Sequence, residues 1–409
     1  MKLAALLLPL LLAVPSRAQK FYTYLLDLGP DYVELAWGTV DGVNTIGRSS
    51  VSHGPAIIHI AGRTIGSVPN YVTVGGLDPN HDYTYDISIG PTKVGEGTFR
   101  TWPAQTGKLS FFVIGDFGTG HEPQFSVARA MWEEFQRRAQ TDHPVRFILS
   151  VGDNIYGNIN TFLIGVSHTG ADDADWGPKF FGPYEPLLAR IPFFGTLGNH
   201  DGNETESHRD LPAFLDNFPF PGGKPGRYYA FTFGGLAKFV GLDSTRNTES
   251  GPPRPFYLED GAQFQWMKKE FAKPHPAWII PFYHHPIFNA GPFHPPAIHD
   301  LQHWLDLFAA SGVKVVFSGH EHNFQVSEAN DRSRGIRFVV SGAGGELRPG
   351  SVQSVMKQAN IALWAPQNHF LEVDIDGKTM TITPLSFVPM QVHDANGQIA
   401  KLPVVVTLP

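Results

Sequence analysis

Val315-Val316-Phe317-Ser318-Gly319-His320-Glu321-His322 is a short, mostly apolar run that ends on a glycine and passes directly to two histidines. The same pattern recurs upstream. Leu109 to Ile114 leads into Gly115-Asp116, Phe147 to Val151 into Gly152-Asp153, and Phe193 to Leu197 into Gly198-Asn199-His200. Trp278 to Tyr283 leads straight into His284-His285-Pro286. Short apolar runs bounded by turn residues read as buried strands. In a wound sheet the carboxyl ends of strands converge on one crevice, where ligands collect. Glycine there lets the backbone turn sharply and a ligand come close. Five strand ends are thus expected to deliver Asp116, Asp153, Asn199-His200, His284 and the pair His320/His322 to a single rim. His320 and His322, two apart on an extended segment, are expected to point the same way.

Helical periodicity marks Gln124 to Gln140, Leu258 to Ala272 and His299 to Ala310, so the region reads as an α/β or layered α+β domain of β-sheets with flanking helices. Strand-like text returns from about Ile336, as in Phe370-Leu371-Glu372-Val373-Asp374-Ile375. Ahead of Pro103 the pattern differs. Alternating runs such as Tyr32-Val33-Glu34-Leu35-Ala36-Trp37, broken by Gly, Asn, Asp and Pro, read as an all-β sandwich. Leu77-Asp78-Pro79-Asn80-His81-Asp82-Tyr83 has the spacing of a tyrosine corner, and Trp37 is the expected core Trp. This segment resembles a fibronectin type III domain. The chain therefore divides into a leader at 1–18, a sandwich at 19–104 and a larger domain at 107–409. In the sandwich His53, His59 and His81 are scattered and read as structural or surface residues.

The 409 residues are 42% hydrophobic and 17% charged, a globular multidomain composition. Lys+Arg at 31 against Asp+Glu at 38 gives a net charge of −7, which argues against a basic face for nucleic acid. The absence of cysteine excludes disulfides, iron–sulfur clusters, thiolate zinc sites and cysteine nucleophiles. Any metal must then be held by nitrogen and oxygen, and seven of the 18 histidines fall between 284 and 322. The opening MKLAALLLPLLLAVPSRA reads as a secretory signal peptide. Lys2 forms its positive end, Leu3 to Val14 its apolar run, and Ser16 and Ala18 its cleavage site. Its removal takes away Lys2 and Arg17 and no acid, so −7 becomes −9. Nothing later approaches the ~18 apolar residues of a membrane span. The expected location is secreted or periplasmic, with no span after signal removal.

A lone Gly-Asp after a strand is ordinarily a turn; five such ends in order point to a site. A mixed Asp/His/Asn set suits iron, zinc or manganese and is too nitrogen-rich for calcium or magnesium alone. Gly115-Asp116-Phe117-Gly118, Gly152-Asp153-Asn154-Ile155-Tyr156, Gly198-Asn199-His200-Asp201, the His284 region and Gly319-His320-Glu321-His322 together resemble the calcineurin-like metallophosphoesterases. Within that family the chain is similar to the purple acid phosphatases, over roughly residues 107 to 390. Generic members carry Asp-x-His in the first motif, but here Gly118 stands in place of the His. Tyr156 stands three residues after Asp153, where purple acid phosphatases place a tyrosinate that binds ferric iron.

The resemblance implies one metal held by Asp116, Asp153, Tyr156 and His322, and a second held by bridging Asp153 with Asn199, His284 and His320. It implies a dinuclear centre of Fe(III) plus a divalent iron, zinc or manganese ion. The implied activity is an acid phosphatase that hydrolyses small-molecule phosphate monoesters by in-line attack of a metal-bound hydroxide. His200 would contact the phosphate, and His294, ten residues after His284, would be the general acid. Asp201 and Glu321 are candidates for carboxylates that orient His200 and the His pair.

Pro281 stands where the family has Val, and its missing N–H predicts an interrupted ladder before His284. His285 reads as a packed or solvated residue in preference to a substrate-rim one, and His299 and His303 as a solvated helix face. The loops Asn158 to Gly177 and Gly345 to Gln353 are expected to shape selectivity. A dimetal phosphodiesterase or 5′-nucleotidase would use the same ligands, and Tyr156 favours the monoesterase. An inactive secreted binding protein is the alternative of another class; the presence of all seven ligands speaks against it.

Overall fold

The computed structural model describes residues 20–40, 46–49, 51–156, 176–201, 214–215, 217–218, 226–245, 257–348 and 350–409. The leader at 1–18 and all but the last two residues of the 158–177 loop lie outside them.

The chain starts with β1 (Tyr22–Leu28), β2 (Tyr32–Gly38), β3 (Ala56–Ile60), β4 (Arg63–Ser67), β5 (Tyr71–Gly75), β6 (Asp82–Ile89) and β7 (Thr92–Arg100). They form two antiparallel sheets, ordered β1-β2-β5 and β4-β3-β6-β7. Trp37 on β2 is fully buried. The Tyr83 phenol oxygen accepts the Asp78 N–H at 2.8 Å, closing the corner that the spacing predicts. Every residue of β1 is buried, because its aromatic side chains pack on the following region: the rings of Tyr22 and Tyr24 lie 5.3 and 5.1 Å from Phe181.

Next come β8 (Lys108–Ile114), α1 (Glu122–Arg138), β9 (Val145–Ser150), α2 (Gly182–Leu188), β10 (Phe193–Gly195), β11 (Tyr229–Phe233), β12 (Ala237–Gly241), α3 (Ala262–Phe271), β13 (Trp278–Phe282) and α4 (Gln302–Ala310). The remaining strands are β14 (Val315–Ser318), β15 (Phe324–Ser327), β16 (Arg337–Ser341), β17 (Ile361–Ala365), β18 (Phe370–Asp376), β19 (Thr379–Leu385), β20 (His393–Asp394) and β21 (Val404–Thr407). They build two mixed sheets, β10-β9-β8-β18-β19-β21 and β11-β12-β13-β14-β16-β15-β17-β20. The sheets lie face to face, with the Phe111 ring of β8 5.2 Å from Phe239 of β12 and 6.2 Å from Phe317 of β14. The five strand ends expected on one sheet thus come from two: β8, β9 and β10 from the first, β13 and β14 from the second.

Helices close the outer faces. On α1, Gln124, Val127, Ala128 and Met131 share one buried stripe. Pro123 starts the helix, and Glu122 and Arg137/Arg138 complement its dipole at the two ends. Arg138 pairs with Asp374 of β18, which fastens the helix to its sheet. On the other side Phe264, Met267 and Phe271 of α3 and Trp304 and Phe308 of α4 form one apolar cluster with Ile279 and Val316. Among the described residues no helix is long and apolar enough to cross a membrane.

Two local expectations change. Helix α4 begins at Gln302, so His299 precedes it and is exposed. His303 is half-buried, its Nε2 2.6 Å from the Tyr257 carbonyl and its ring 4.6 Å from Phe264, because α4 packs on α3 there. Pro281 interrupts only one ladder. β13 stays in register with β12 from Trp278 to Phe282, whereas its sole register position with β14 is Phe282 opposite Phe317. Tyr283 donates to Phe317, so residue 281 faces β14, the side on which proline has no N–H to give.

Candidate metal centre

The strand ends turn tightly before they reach the centre. Asp116, Asp153 and His320 have φ of 55°, 50° and 71°, a left-handed conformation that non-glycine residues hold only where their surroundings compel it. Here the compulsion is hydrogen bonding: Asp116 N donates to Gly152 O at 3.0 Å, and His320 N donates to Asp116 Oδ2 at 2.9 Å. A Cβ at Gly198 would stand 2.2 Å from Asp153 Oδ1, so only glycine lets these two loops meet. A Cβ at Gly118 would stand 1.8 Å from the Asn154 carbonyl oxygen. The histidine of generic family members has no room at that position.

The structure brings all seven proposed donors together. Tyr156 Oη lies 3.2 Å from each of Asp116 Oδ1, Asp153 Oδ2 and His322 Nε2. His284 Nε2 lies 3.0 Å from Asn199 Oδ1, 3.2 Å from His320 Nδ1 and 3.3 Å from Asp153 Oδ2. Asp153 Oδ2 therefore touches both groups, while its Oδ1 accepts the His200 N–H at 2.8 Å. Asp116 and Asp153 are 0% and 1% exposed, whereas Asn199 and His320 are half-buried and open the centre to the surface. The His320-Glu321-His322 segment bends at His320 and is not extended, so its two rings reach opposite ends of the cluster.

The electrostatics suit cations. Burial and the carboxylates of Asp116 and Asp153 hold the Tyr156 phenol well above its ordinary range, so it ionises only beside a strong positive charge. Burial opposes a charge on His284, yet Asp153 and Asp116 overcome it and raise His284 to about 10. His284 Nδ1 lies 2.9 Å from the Val151 carbonyl and donates to it, which leaves Nε2 to face the cluster. Burial and the neighbouring His285, His284 and His294 hold His320 well below the usual range, as a neutral donor. Asp116, Asp153 and His284 offer donor atoms close enough to share one ion, as do His284, His285 and His320. Both ends of the cluster mix oxygen and imidazole nitrogen donors, a set that can hold metal ions.

Two neighbouring residues depart from expectation. Asp201 does not orient His200. Its carboxylate accepts N–H groups from Asn154 N (2.8 Å), Ile155 N (3.2 Å), Gly198 N (2.9 Å) and Asn154 Nδ2 (2.8 Å), and so ties the Asp153 loop to the Asn199 loop. Burial and the Asp153 charge push its carboxyl up to about 7, against these donors. Glu321 serves His294 and not the His pair: Oε2 accepts His294 N at 3.1 Å and lies 3.2 Å from His294 Nδ1. Burial pushes Glu321 up, but these His294 donors hold it below the usual carboxylate range. His285 is half-buried and packed, as its sequence reading allows: its ring lies 4.4 Å from that of His320, beside the centre. His200 stands at the same mouth, its ring 4.6 Å from Tyr156, and the His294 ring lies 3.9 Å from His320. Sequence reasoning missed Asn154 and Ser244. Asn154, fully buried, was in view inside Gly152-Asp153-Asn154; Ser244, after β12, carries no local signal.

Comparison with known proteins agrees with this geometry. The calcineurin-like phosphoesterase family matches residues 109–324. Tartrate-resistant acid phosphatase type 5 of Rattus norvegicus is 28% identical over 319 residues, covering 69% of this chain and 88% of that protein. The structure of a purple acid phosphatase isolated from yellow lupin (Lupinus luteus) seeds superimposes with a TM-score of 0.67 at 15% identity, covering 95% of this chain and 74% of that one. The structure of PhoD does so with a TM-score of 0.66 at 15% identity, covering 92% and 90%. The family match spans more than half of the chain and takes in every strand end of the centre: the chain belongs to the calcineurin-like phosphoesterases, hydrolases of phosphoric esters, as a purple acid phosphatase-like member.

Proposed function

We propose that this protein is an exported acid phosphatase with a dinuclear Fe(III)–M(II) centre, M being iron, zinc or manganese, that acts on small phosphate monoesters. Asp116, Asp153, Tyr156 and His322 would hold the ferric ion, and Asp153, Asn199, His284 and His320 the divalent one. The observation that carries this reading is Asp153 Oδ2, 3.2 Å from Tyr156 Oη and 3.3 Å from His284 Nε2, at the junction of the two donor sets. When bound, such a centre supplies Lewis-acid charge and an activated water. The leader at 1–18 accounts for export, and residues 19–104 form a fibronectin III-like module ahead of the catalytic domain at 107–409.

The side chains at the mouth divide the remaining work. His200 donates to the substrate phosphate. His294 gives a proton from Nε2 to the departing alcohol oxygen. Glu321, buried and aimed at His294 Nδ1 from 3.2 Å, fixes the orientation of that ring. Tyr156, at the tyrosinate position of the purple acid phosphatases, favours the monoesterase reading over a diesterase on the same fold.

Elemental analysis and visible absorption of the purified protein test the reading. Two metal ions per chain, a tyrosinate-to-iron absorption band and phosphatase activity are expected, all three lost in Asp153→Ala. An Asp153→Ala protein that kept its metals and its activity would refute the assignment.

A further inference from the structure

His294 stands on the segment between β13 and α4, which contains no helix or strand of its own. Two buried amides fasten that segment to the sheet. Asn289 is 2% exposed, and Gln325, on β15, is 0% exposed. Gln325 Oε1 accepts the Ala290 N–H at 2.9 Å, and Asn289 Oδ1 accepts the Gly291 N–H at 2.8 Å. Asn289 Nδ2 donates to the His294 carbonyl at 2.9 Å and to Glu321 Oε2 at 3.4 Å. Gln325 Nε2 joins the two amides, 3.0 Å from Asn289 Oδ1 and 2.8 Å from Asn323 Oδ1.

The partners decide which way each amide points. Backbone N–H groups can only donate and the His294 carbonyl can only accept, so one orientation satisfies each side chain. In that orientation both Asn289 N–H bonds and both lone pairs of its oxygen are used. Gln325 hangs from the interior of a sheet, since β15 pairs with β16 on one side and β17 on the other. The backbone of His294 is held at both of its polar groups, the carbonyl by Asn289 and the N–H by Glu321 at 3.1 Å. Its ring Nδ1 lies 3.2 Å from the same Glu321 oxygen, so the direction of Nε2 is set. A buried amide cluster satisfied in this way is rigid, which suits a group that must meet its target within about 0.5 Å.

Resting on the phosphatase reading above, with His294 as the general acid, we propose that Asn289 and Gln325 are positioning residues for that acid and fit the enzyme to phosphate esters of weakly acidic alcohols. As the P–O bond breaks, its electron pair stays on the leaving oxygen, which takes the proton from His294 Nε2. An alkyl alkoxide is a strong base and needs that proton as it departs, whereas 4-nitrophenolate leaves without it. Removing either amide loosens the His294 segment, and the loss falls on alkyl esters. Neither amide hydrogen-bonds to any of the seven metal donors, so the effect is separable from metal binding.

The test compares glycerol phosphate with 4-nitrophenyl phosphate on the metal-loaded enzyme. His294→Ala should lower kcat for glycerol phosphate about 100-fold and 4-nitrophenyl phosphate far less. In Asn289→Ala the ratio of kcat for glycerol phosphate over 4-nitrophenyl phosphate should fall about tenfold, with KM for both esters little changed. Gln325→Met, which keeps the length of the side chain and serves where Asn289→Ala does not fold, should move the ratio the same way by less. Metal content, and inhibition by inorganic phosphate, which has no leaving group, should hold within about twofold. Adding Asn289→Ala to His294→Ala should leave the ratio within about twofold of that in His294→Ala, because the amide acts only through the ring. A ratio unmoved in Asn289→Ala and Gln325→Met, an equal fall on both esters, a fall that follows metal loss, or a further fall of the ratio in the double variant overturns the proposal and leaves the phosphatase reading standing. A ratio unmoved by His294→Ala overturns the assignment of the acid, and the proposal with it. A wild-type enzyme that binds its metals and cleaves neither ester overturns the phosphatase reading itself.

Discussion

His369 is fully buried, with Nδ1 2.8 Å from the Gln367 carbonyl, Nε2 3.2 Å from Ser341 Oγ and its ring 5.5 Å from Phe324. Burial holds it down from 6.5 to about 4, although the bond to Gln367 pulls the other way. The neutral ring is therefore the folded form. Above pH 6.5 both folded and unfolded chains carry it neutral, and its contribution to stability is fully present. As pH falls from 6.5 to about 4 the unfolded chain takes up a proton that the folded one refuses, and stability is lost until the folded ring also titrates. At ~1.36 kcal/mol per pH unit this amounts to about 3 kcal/mol, a large share of a domain's margin. His369→Gln, neutral at every pH, removes that slope. Urea unfolding of both proteins at several pH values between 7.5 and 4 should show the variant weaker at neutral pH by the cost of repacking, with the gap closing or reversing towards pH 4. Metal release in acid acts on both proteins alike and cancels in the difference. Parallel loss of stability in the two proteins would refute the assignment of this slope to His369. The point bears on function, since a phosphatase working in acid would operate inside this window.

Other expectations follow from the neighbours of the centre. Glu321→Gln should lower kcat about 10- to 100-fold with metal content unchanged, because His294 loses the charge that holds it; unchanged kcat, or loss of metal along with activity, would place Glu321 elsewhere in the mechanism. Asp201→Ala strands four N–H donors and should cost about 3–5 kcal/mol in denaturant unfolding, with Asp201→Asn recovering part. A cost under about 1 kcal/mol would mean that water replaces the carboxylate.

The donor set was readable because its residues follow short apolar runs, in all but the His284 segment with glycine at the turn, and both features are local. Trp37 and the Leu77–Tyr83 corner were readable for the same reason. What escaped the sequence depends on contacts far along the chain. Glu321 could not be assigned to His294 in advance, since the two stand 27 positions apart with α4 and β14 between them. Asp201 was adjacent to His200 in sequence, but its carboxylate turns away to meet Asn154, 47 residues earlier. The contact of His285 with Ser244 has no local signal, since the two stand 41 positions apart. The division of the strand ends between two sheets was hidden too: a parallel strand reads alike whichever sheet it joins.

That division has a mechanical consequence. Asp116, Asp153 and Asn199 follow strands of one sheet, and His284, His320 and His322 follow strands of the other. A pair of ions shared by these residues would stitch the two sheets together at one rim, closing a loop from Asp116 to His322 that spans about half of the chain. In a chain without cysteine, the metals would then be its only cross-link of near-covalent strength, and the part most prone to spring open when they are withdrawn would be the rim that performs the chemistry.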